Sequence, residues 1–93
     1  MVVGLLTVEF HVPGSHSLKE KRMVLRRVKD RLKKFNVAVS EVEHQDLWQR
    51  AALGVAIVSG ERRQVDEQLQ SVRMLVQSTH GAELLDWQEQ EPT

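Results

Sequence analysis

The stretch VVGLLTVEFHVPGSHSLKEKRMVLRRVKDRLKKF, residues 2–35, decides the fold, because a strand pattern is followed there by a helix pattern. From Val2 to Val12 apolar and polar residues alternate with a period of two, as in a strand with one buried face. Pro13-Gly14 ends this strand, since proline has no N–H for a ladder and glycine turns easily. The alternation assigns to the core Leu6, Val8, Phe10 and Val12. It assigns to an open sheet face Leu5, Thr7, Glu9 and His11.

A helix is predicted from Leu18 to about Phe35. Ser17 is a suitable N-cap, and Glu20 three residues later completes a capping box. At about 100° per residue the apolar side chains share one sector, and an adjoining sector of about 80° is entirely basic. This basic stripe consists of Lys19, Arg22, Arg26, Lys29 and Lys33. Lys21 falls inside the apolar sector, so its charge either snorkels past the sheet edge or enters a polar site at the helix start.

Two strands are predicted after this helix, at residues 36–44 and 52–59, with residues 45–50 as their connector. In the second strand Val42 is out of phase with Val37 and Val39, which indicates a bulge near Ser40–Glu41 or an exposed edge strand. In the third strand the core set is Leu53, Val55 and Ile57. Small residues make the open face low in the middle, namely Ala52, Gly54 and Ala56.

The last third of the chain adds one more helix and one more strand. A stripe at helical spacing predicts the helix, which ends at His80-Gly81. The stripe consists of Val65, Leu69, Val72 and Val76. The final strand is predicted from Glu83 to about Gln88, with Leu85 and Trp87 on one face and Leu84 on the open face.

The elements follow the order β-α-β-β-α-β, which is the ferredoxin-like arrangement of α+β proteins. Right-handed crossovers then give a four-stranded antiparallel sheet with two helices on one face. The first and third strands are central, and the outer strands carry acidic residues, as exposed edges do. At 93 residues the chain is the size of one small domain, predicted over residues 1–93 with a frayed tail at 89–93.

Composition excludes several classes of protein. There is no cysteine, which rules out disulfides, thiolate zinc sites and a cysteine nucleophile. No apolar run approaches the roughly 20 residues of a membrane helix, and no signal-peptide pattern occurs, so a cytoplasmic protein without membrane contact is expected.

The formal net charge of zero hides an asymmetry along the chain. Residues 1–34 hold nine Lys/Arg and three Asp/Glu, which is +6, whereas residues 35–93 hold four and ten, which is −6. This split indicates a basic face for nucleic acid or an acidic partner, or else complementary faces of one chain or of two copies.

The motifs of several activities are absent. Recognition of RNA on the sheet needs aromatic residues on the central strands, and the chain has only two Phe and two Trp, with Phe10 in core phase. No glycine-rich phosphate loop occurs. A zinc site would have to be drawn from His11, His16, His44 and Asp46. Their spacing matches no metal motif. No residue is oriented to activate Ser15 or Ser17, so no catalytic residue, metal or cofactor is predicted.

Two groups of residues remain as candidates for binding. The basic stripe suits a phosphate backbone, and Lys21 near the helix start is included with it. The connector holds Trp48 in a polar run, either as an anchor for a partner, since Trp and Arg dominate interface hot spots, or as a lid over the end of a small core. The candidate partner-binding residues are His44, Asp46, Trp48, Gln49 and Arg50.

Three segments of this sequence resemble the YlxP-like family of small bacterial proteins of unknown function. They are VVGLLTVEF, HVPGSHSLKEKR (residues 11–22) and EVEHQDLWQRAALGVAIVSG (residues 41–60). The resemblance implies a single ferredoxin-like domain. It also implies a link to the ribosome or RNA, because genes of the family often lie among those for translation initiation and ribosome maturation. It supplies no catalytic residues. The matching positions are Ser17, Leu18, Lys19, Lys21, Arg22, His44, Asp46, Trp48 and Gln49.

The function predicted from these observations is that of a non-enzymatic accessory factor associated with the ribosome or with RNA, including ribosomal RNA, through the basic helix face; no small-molecule substrate is identified. The alternative is a homodimeric protein-interaction module that uses the open sheet face. Residues 11–22 and 41–60 are expected at opposite ends of the sheet, so they are not expected to form one pocket within a chain.

Overall fold

The alternating residues at the N-terminus form β1 (Val2–His11) in a computed structural model that describes residues 1–90. The other elements are α1 (Leu18–Leu32), β2 (Val37–Glu43), β3 (Arg50–Ser59), α2 (Arg62–Gln77) and β4 (Glu83–Gln90). The sheet order is β2-β3-β1-β4, and every neighbouring pair is antiparallel. The predicted α+β, ferredoxin-like βαββαβ fold is therefore confirmed.

The core lies between the sheet and the two helices. The inward sets predicted for β1 and β3 are both buried, and they pack against the apolar stripes of α1 and α2. Removing this apolar surface from water is the main favourable contribution to folding, at about 25 cal/mol per Å². At Gly4, α2 approaches β1 so closely that an added Cβ would lie 2.5 Å from Cγ1 of Val65. Only glycine fits between these two elements without a shift.

Several element ends differ from the prediction. The α-helix α1 ends at Leu32 rather than Phe35, because Phe35 N–H bonds to the carbonyl of Leu32 and closes a tighter turn. At the other end of α1, Ser17 caps the helix as predicted, accepting from Glu20 N–H at 3.1 Å. Glu89 and Gln90 were expected in a frayed tail, yet they pair with β1. Residues 91–93 of that predicted tail lie outside the described residues.

The prediction for the two faces of β4 was wrong in part. The pairing of β4 with β1 shifts register beside Glu9 and Phe10, which places an extra residue on β4. As a result Leu84 packs against the core together with Trp87, whereas Leu85 is 52% exposed. Leu84 therefore does not line the open face.

The phase slip predicted in β2 is present, one step further along than expected. The pairing of β2 with β3 is irregular between Glu41 and Glu43. Val42 consequently lies on the open face, where its Cγ1 would be 2.9 Å from a Cβ added to Gly54. Glu41 pairs with Leu53, a core residue, so its side chain is directed to the helix side of the sheet.

Candidate nucleic-acid interface

The basic stripe of α1 borders an open groove between this helix and β2. The groove has a volume of about 510 Å³ and is lined by Arg22, Leu25, Arg26, Lys29, Asp30, Lys33 and Glu41. Four stripe residues are exposed, namely Lys19, Arg22, Arg26 and Lys33, and Lys29 is half-buried. The predicted stripe is thus a continuous surface feature of the molecule.

Most of the stripe cations have no partner among residues 1–90. Lys33 Nζ lies 3.2 Å from Asp30 Oδ1, and this pair is solvent-exposed, so it contributes little to stability. Within residues 1–90 the other four make no side-chain ion pair or hydrogen bond, namely Lys19, Arg22, Arg26 and Lys29. Their charge is available to an external ligand.

Other arginines of α1 are used by the fold itself. Arg27 Nη1 donates to the carbonyl of His80 at 2.9 Å, and Arg31 Nη1 donates to Thr79 Oγ1 at 3.0 Å. These bonds tie α1 to the loop between α2 and β4. The helix therefore carries two classes of cation, one bonded to protein and one facing solvent.

Lys21 is a buried cation, with 1% of its side chain exposed. Its Nζ donates to the carbonyl of His44 at 2.7 Å and to the carbonyls of Gln45 and Arg50 at 3.3 Å each. It also lies 3.3 Å from Glu41 Oε2, and this ion pair is the one partner of that buried oxygen within residues 1–90. An ammonium group enclosed in this way cannot reach a phosphate, so Lys21 is not part of the nucleic-acid surface. Snorkelling was the wrong alternative, and the polar site was the right one.

The expectation that residues 11–22 and 41–60 lie at opposite ends of the sheet was also wrong. Both β1 and β2 are antiparallel to β3, so they run in the same direction and end at the same edge of the molecule. The turn after β1 and the connector after β2 meet there. The contacts of Lys21 join the two segments within one chain.

His44 connects the two faces of the sheet at this end. Its backbone has a φ of +63°, a left-handed conformation that is uncommon for residues other than glycine. Its carbonyl bonds to Lys21 on the helix side, while its ring Nε2 lies 3.2 Å from Glu9 Oε1 on the open face. The guanidinium of Arg50 bonds to the same Glu9 oxygen. Glu9 therefore contacts two side chains on the open face, those of His44 and Arg50.

Trp48 lies at the surface, with 54% of its side chain exposed beside the equally exposed Leu47. The interpretation of Trp48 as a lid over the core is therefore wrong. The backbone around it is fixed, since Gln49 Nε2 donates to the Ser15 carbonyl at 3.2 Å and the Gln49 carbonyl accepts from Val12 N–H at 2.8 Å. Asp46, Gln49 and Arg50 are exposed as well, so four of the five candidate partner-binding residues face solvent, and His44 is half-buried.

The residues considered as zinc ligands are not brought together. His11 lies 3.4 Å from Glu83, His44 lies beside Glu9, and His16 is exposed in the turn. Across residues 1–90 there is no group of three or more His, Cys, Asp or Glu side chains placed to hold a metal ion.

Neither α1 nor α2 is long and apolar enough to cross a membrane, and no other helix is present in residues 1–90.

Sequence reasoning missed Glu41 and Glu9. Glu41 has the same strand phase as Val37 and Val39, which places a carboxylate on the helix side of β2. Lys21 is a cation on the apolar side of α1. Two charges of opposite sign on facing apolar surfaces are a signal for a buried pair, and the ion pair bears it out.

Comparison with known proteins gives a family and a fold. The family model described as "Protein of unknown function (DUF503)" matches residues 3–89. The uncharacterized protein YlxP of Bacillus subtilis (strain 168) is 42% identical over 78 residues, which cover 83% of this chain and 85% of that protein. Membership of the YlxP-like family, which the three segments predicted, is confirmed.

Two solved structures share the architecture. A C-terminal segment of the alpha subunit of aIF2 from Pyrococcus abyssi aligns with a TM-score of 0.54 at 17% identity, covering 100% of this chain and 52% of that one. A de novo designed protein with a ferredoxin fold aligns with a TM-score of 0.52 at 12% identity, covering 100% and 87%. The chain therefore spans about half the length of the archaeal segment, and at such identities both likenesses show the fold alone. The family match over residues 3–89, together with the Bacillus relative, shows that this chain belongs to the DUF503 family.

Proposed function

We propose that the protein is a cytoplasmic, non-enzymatic accessory factor that binds ribosomal RNA through the basic stripe of α1. The observation that carries the proposal is the row of stripe cations, four of which have no protein partner within residues 1–90. At 1.5 Å per residue the helix is about 22 Å long, which suits several successive phosphates. Because Arg27 and Arg31 tie the helix to the fold, the stripe cations are free for another role.

The choice of RNA among polyanions rests on the resemblance to the YlxP-like family, whose genes often lie beside those for ribosome maturation. The archaeal neighbour is a segment of the alpha subunit of aIF2, and at 17% identity it supports the fold only. The binding expected from such a surface is electrostatic and follows the backbone rather than the base sequence.

The test compares two double variants with the same change in net charge. Arg22→Glu/Arg26→Glu reverses two stripe cations, whereas Arg63→Glu/Arg73→Glu reverses two exposed cations of α2. The probes are a fluorescent poly(U) oligomer and purified ribosomal subunits, at several salt concentrations. We expect the stripe variant to bind poly(U) at least about tenfold more weakly, with a salt slope smaller by about 2, and to lose co-sedimentation with subunits at low salt.

The α2 variant should stay within about threefold of the parent, since it changes the same total charge at a different place. Equal losses in the two variants would assign the binding to net charge and would contradict a stripe-specific site. No binding by the parent at low salt would overturn the proposal outright.

A second candidate function is self-association through the open sheet face. The observation that favours it is the exposure of apolar side chains on an uncovered sheet, since Val42, Val58 and Leu85 are each about half exposed. This function predicts a dimer in sedimentation equilibrium, and a monomer at every concentration would contradict it.

A further inference from the structure

The open sheet face has a hollow near its middle, and an exposed indole lies beyond one end. The hollow has a volume of about 340 Å³. Its lining on the open face includes Leu5, Thr7, Ala38, Val42, Gly54 and Ala56. Trp48 precedes β3 by two residues and so lies beyond the end of the sheet at which β3 begins. From Ala56 to Arg50 the strand rises by about 20 Å, which separates the two features along β3.

We propose that Trp48 of one copy inserts into this hollow on a second copy of the chain, in a symmetric dimer whose sheets pack face to face. This rests on the second candidate function and names its contact residues. The two-fold axis of this dimer lies between the two sheets and perpendicular to the strands, so the strands of the two copies run in opposite directions. Each Trp48 then faces the hollow of the partner copy, and symmetry makes the two contacts form together. Small residues along β3 let the sheets approach to about 10 Å.

The size and character of the two surfaces match. An indole buries roughly 150–250 Å² and prefers an apolar site, and the hollow is lined chiefly by aliphatic side chains and small residues. Gly54 keeps the floor of the hollow low, because a Cβ there would already contact Val42. The hollow is large enough for one aromatic side chain.

The charges favour a second copy as the occupant. Between the hollow and the connector, Glu9 bonds to Arg50 and lies beside His44, so this region is paired within each chain. In a two-fold symmetric dimer the Glu9 region of one copy faces the Glu9 region of the other. Because each Glu9 is already paired within its own chain, the two regions do not repel each other as like charges. The formal net charge of the chain is zero, so whole copies do not repel each other either.

The hydrogen bonds from Lys21 to the backbone on both sides of Trp48 order the connector before any dimer forms. Three backbone carbonyls of the connector are held by one buried ammonium group, and Gln49 bonds to the turn after β1. A connector that is already ordered loses less conformational entropy when it binds, so more of the contact energy appears as affinity.

The test is a pair of complementary charge variants, each followed by sedimentation equilibrium over a wide range of protein concentration. Trp48→Lys removes the indole, and Ala56→Glu places a carboxylate in the hollow. We expect the parent to dimerise and each variant alone to dimerise at least about tenfold more weakly. An equimolar mixture should recover dimers, because one contact then keeps the native indole and hollow while the other joins opposite charges.

Two controls keep the result interpretable. Met74→Lys and Met23→Glu make the same charge changes at exposed helix positions, and we expect them to dimerise like the parent, alone and mixed. Circular dichroism checks that each variant folds. If Ala56→Glu does not fold, Ala38→Glu on the exposed edge strand replaces it, since Ala38 also lines the hollow.

Each outcome decides something. If the mixture recovers dimers, the result supports insertion of Trp48 into the hollow of the partner copy. Packing in which Trp48 faces Trp48 would bring no opposite charges together. A dimeric parent whose mixture does not recover, or whose Trp48→Lys variant dimerises normally, overturns the docking and leaves the second candidate function standing. A parent that is monomeric at every concentration overturns both the docking of Trp48 and the second candidate function. The open face would then have to bind a different partner.

Discussion

Four oxygen atoms surround the ammonium group of Lys21, three from connector carbonyls and one from Glu41. Removing an ammonium group from water costs several kcal/mol, and only closely placed oxygens offset this cost. Apolar residues of similar volume can often replace a complete buried pair without loss of stability. Losing one partner alone is costly, since the other is left buried without compensation.

Lys21→Met is therefore expected to lower the free energy of unfolding by about 3 kcal/mol, since it leaves Glu41 and three carbonyls unpaired. Urea unfolding followed by circular dichroism measures this change. Adding Glu41→Gln to the first substitution should recover about 1 kcal/mol, because it removes the uncompensated carboxylate.

The matched control for Lys21→Met is Lys19→Met, an exposed stripe residue two positions earlier on the same helix. Its effect should be within about 0.5 kcal/mol of the parent. An equal loss of unfolding free energy in both variants would contradict a special role of the buried Lys21 site. It would point instead to a general cost of removing charge from α1.

At the scale of elements, the two central strands were predicted correctly and the two edge strands only in part. The inward sets of β1 and β3 are buried as their alternation indicates, because each strand is fixed by a neighbour on both sides. In β2 and β4 a single irregularity moves every following residue to the other face. The slip at Val42 left a visible trace in the sequence, whereas Leu84 and Leu85 are the same residue type and give no sign of which one faces inward.

This assignment of β4 predicts unequal effects for two identical substitutions. Leu84→Ala should lower the free energy of unfolding by about 1–2 kcal/mol, because Leu84 packs against the core. Leu85→Ala should change it by less than about 0.5 kcal/mol in a monomeric sample, because Leu85 is mostly exposed. Urea unfolding of the two variants side by side makes the comparison, and the reverse order would show that the register shift is misplaced.

The candidate site was predictable to a similar extent. The 3.6-residue period of α1 identified the basic stripe and marked Lys21 as out of place. The meeting of the two motifs was predicted wrongly, although the order of elements makes β1 and β2 run the same way and end at the same edge. The carbonyl partners of Lys21 were not predictable, because every residue carries a backbone carbonyl whatever its side chain.

At the scale of the whole molecule, the two proposed surfaces lie on opposite sides of one sheet. The basic stripe belongs to the helix layer, and the hollow belongs to the bare face. The net charge of +6 in residues 1–34 and −6 in residues 35–93 is partly separated in space as well, because the solvent-facing cations of α1 lie beside one groove. A face-to-face dimer would leave both basic stripes on its outer surfaces.

This arrangement predicts that RNA binding and self-association are independent. Ala56→Glu should abolish most dimerisation and leave the affinity for a short poly(U) oligomer within about threefold of the parent. Arg22→Glu/Arg26→Glu should weaken RNA binding and sediment as a dimer like the parent. Fluorescence anisotropy and sedimentation equilibrium on the same samples measure both properties. If Ala56→Glu lowered RNA affinity by about tenfold or more, the RNA would have to contact the sheet face or both copies at once, and the separation of the two surfaces would be refuted.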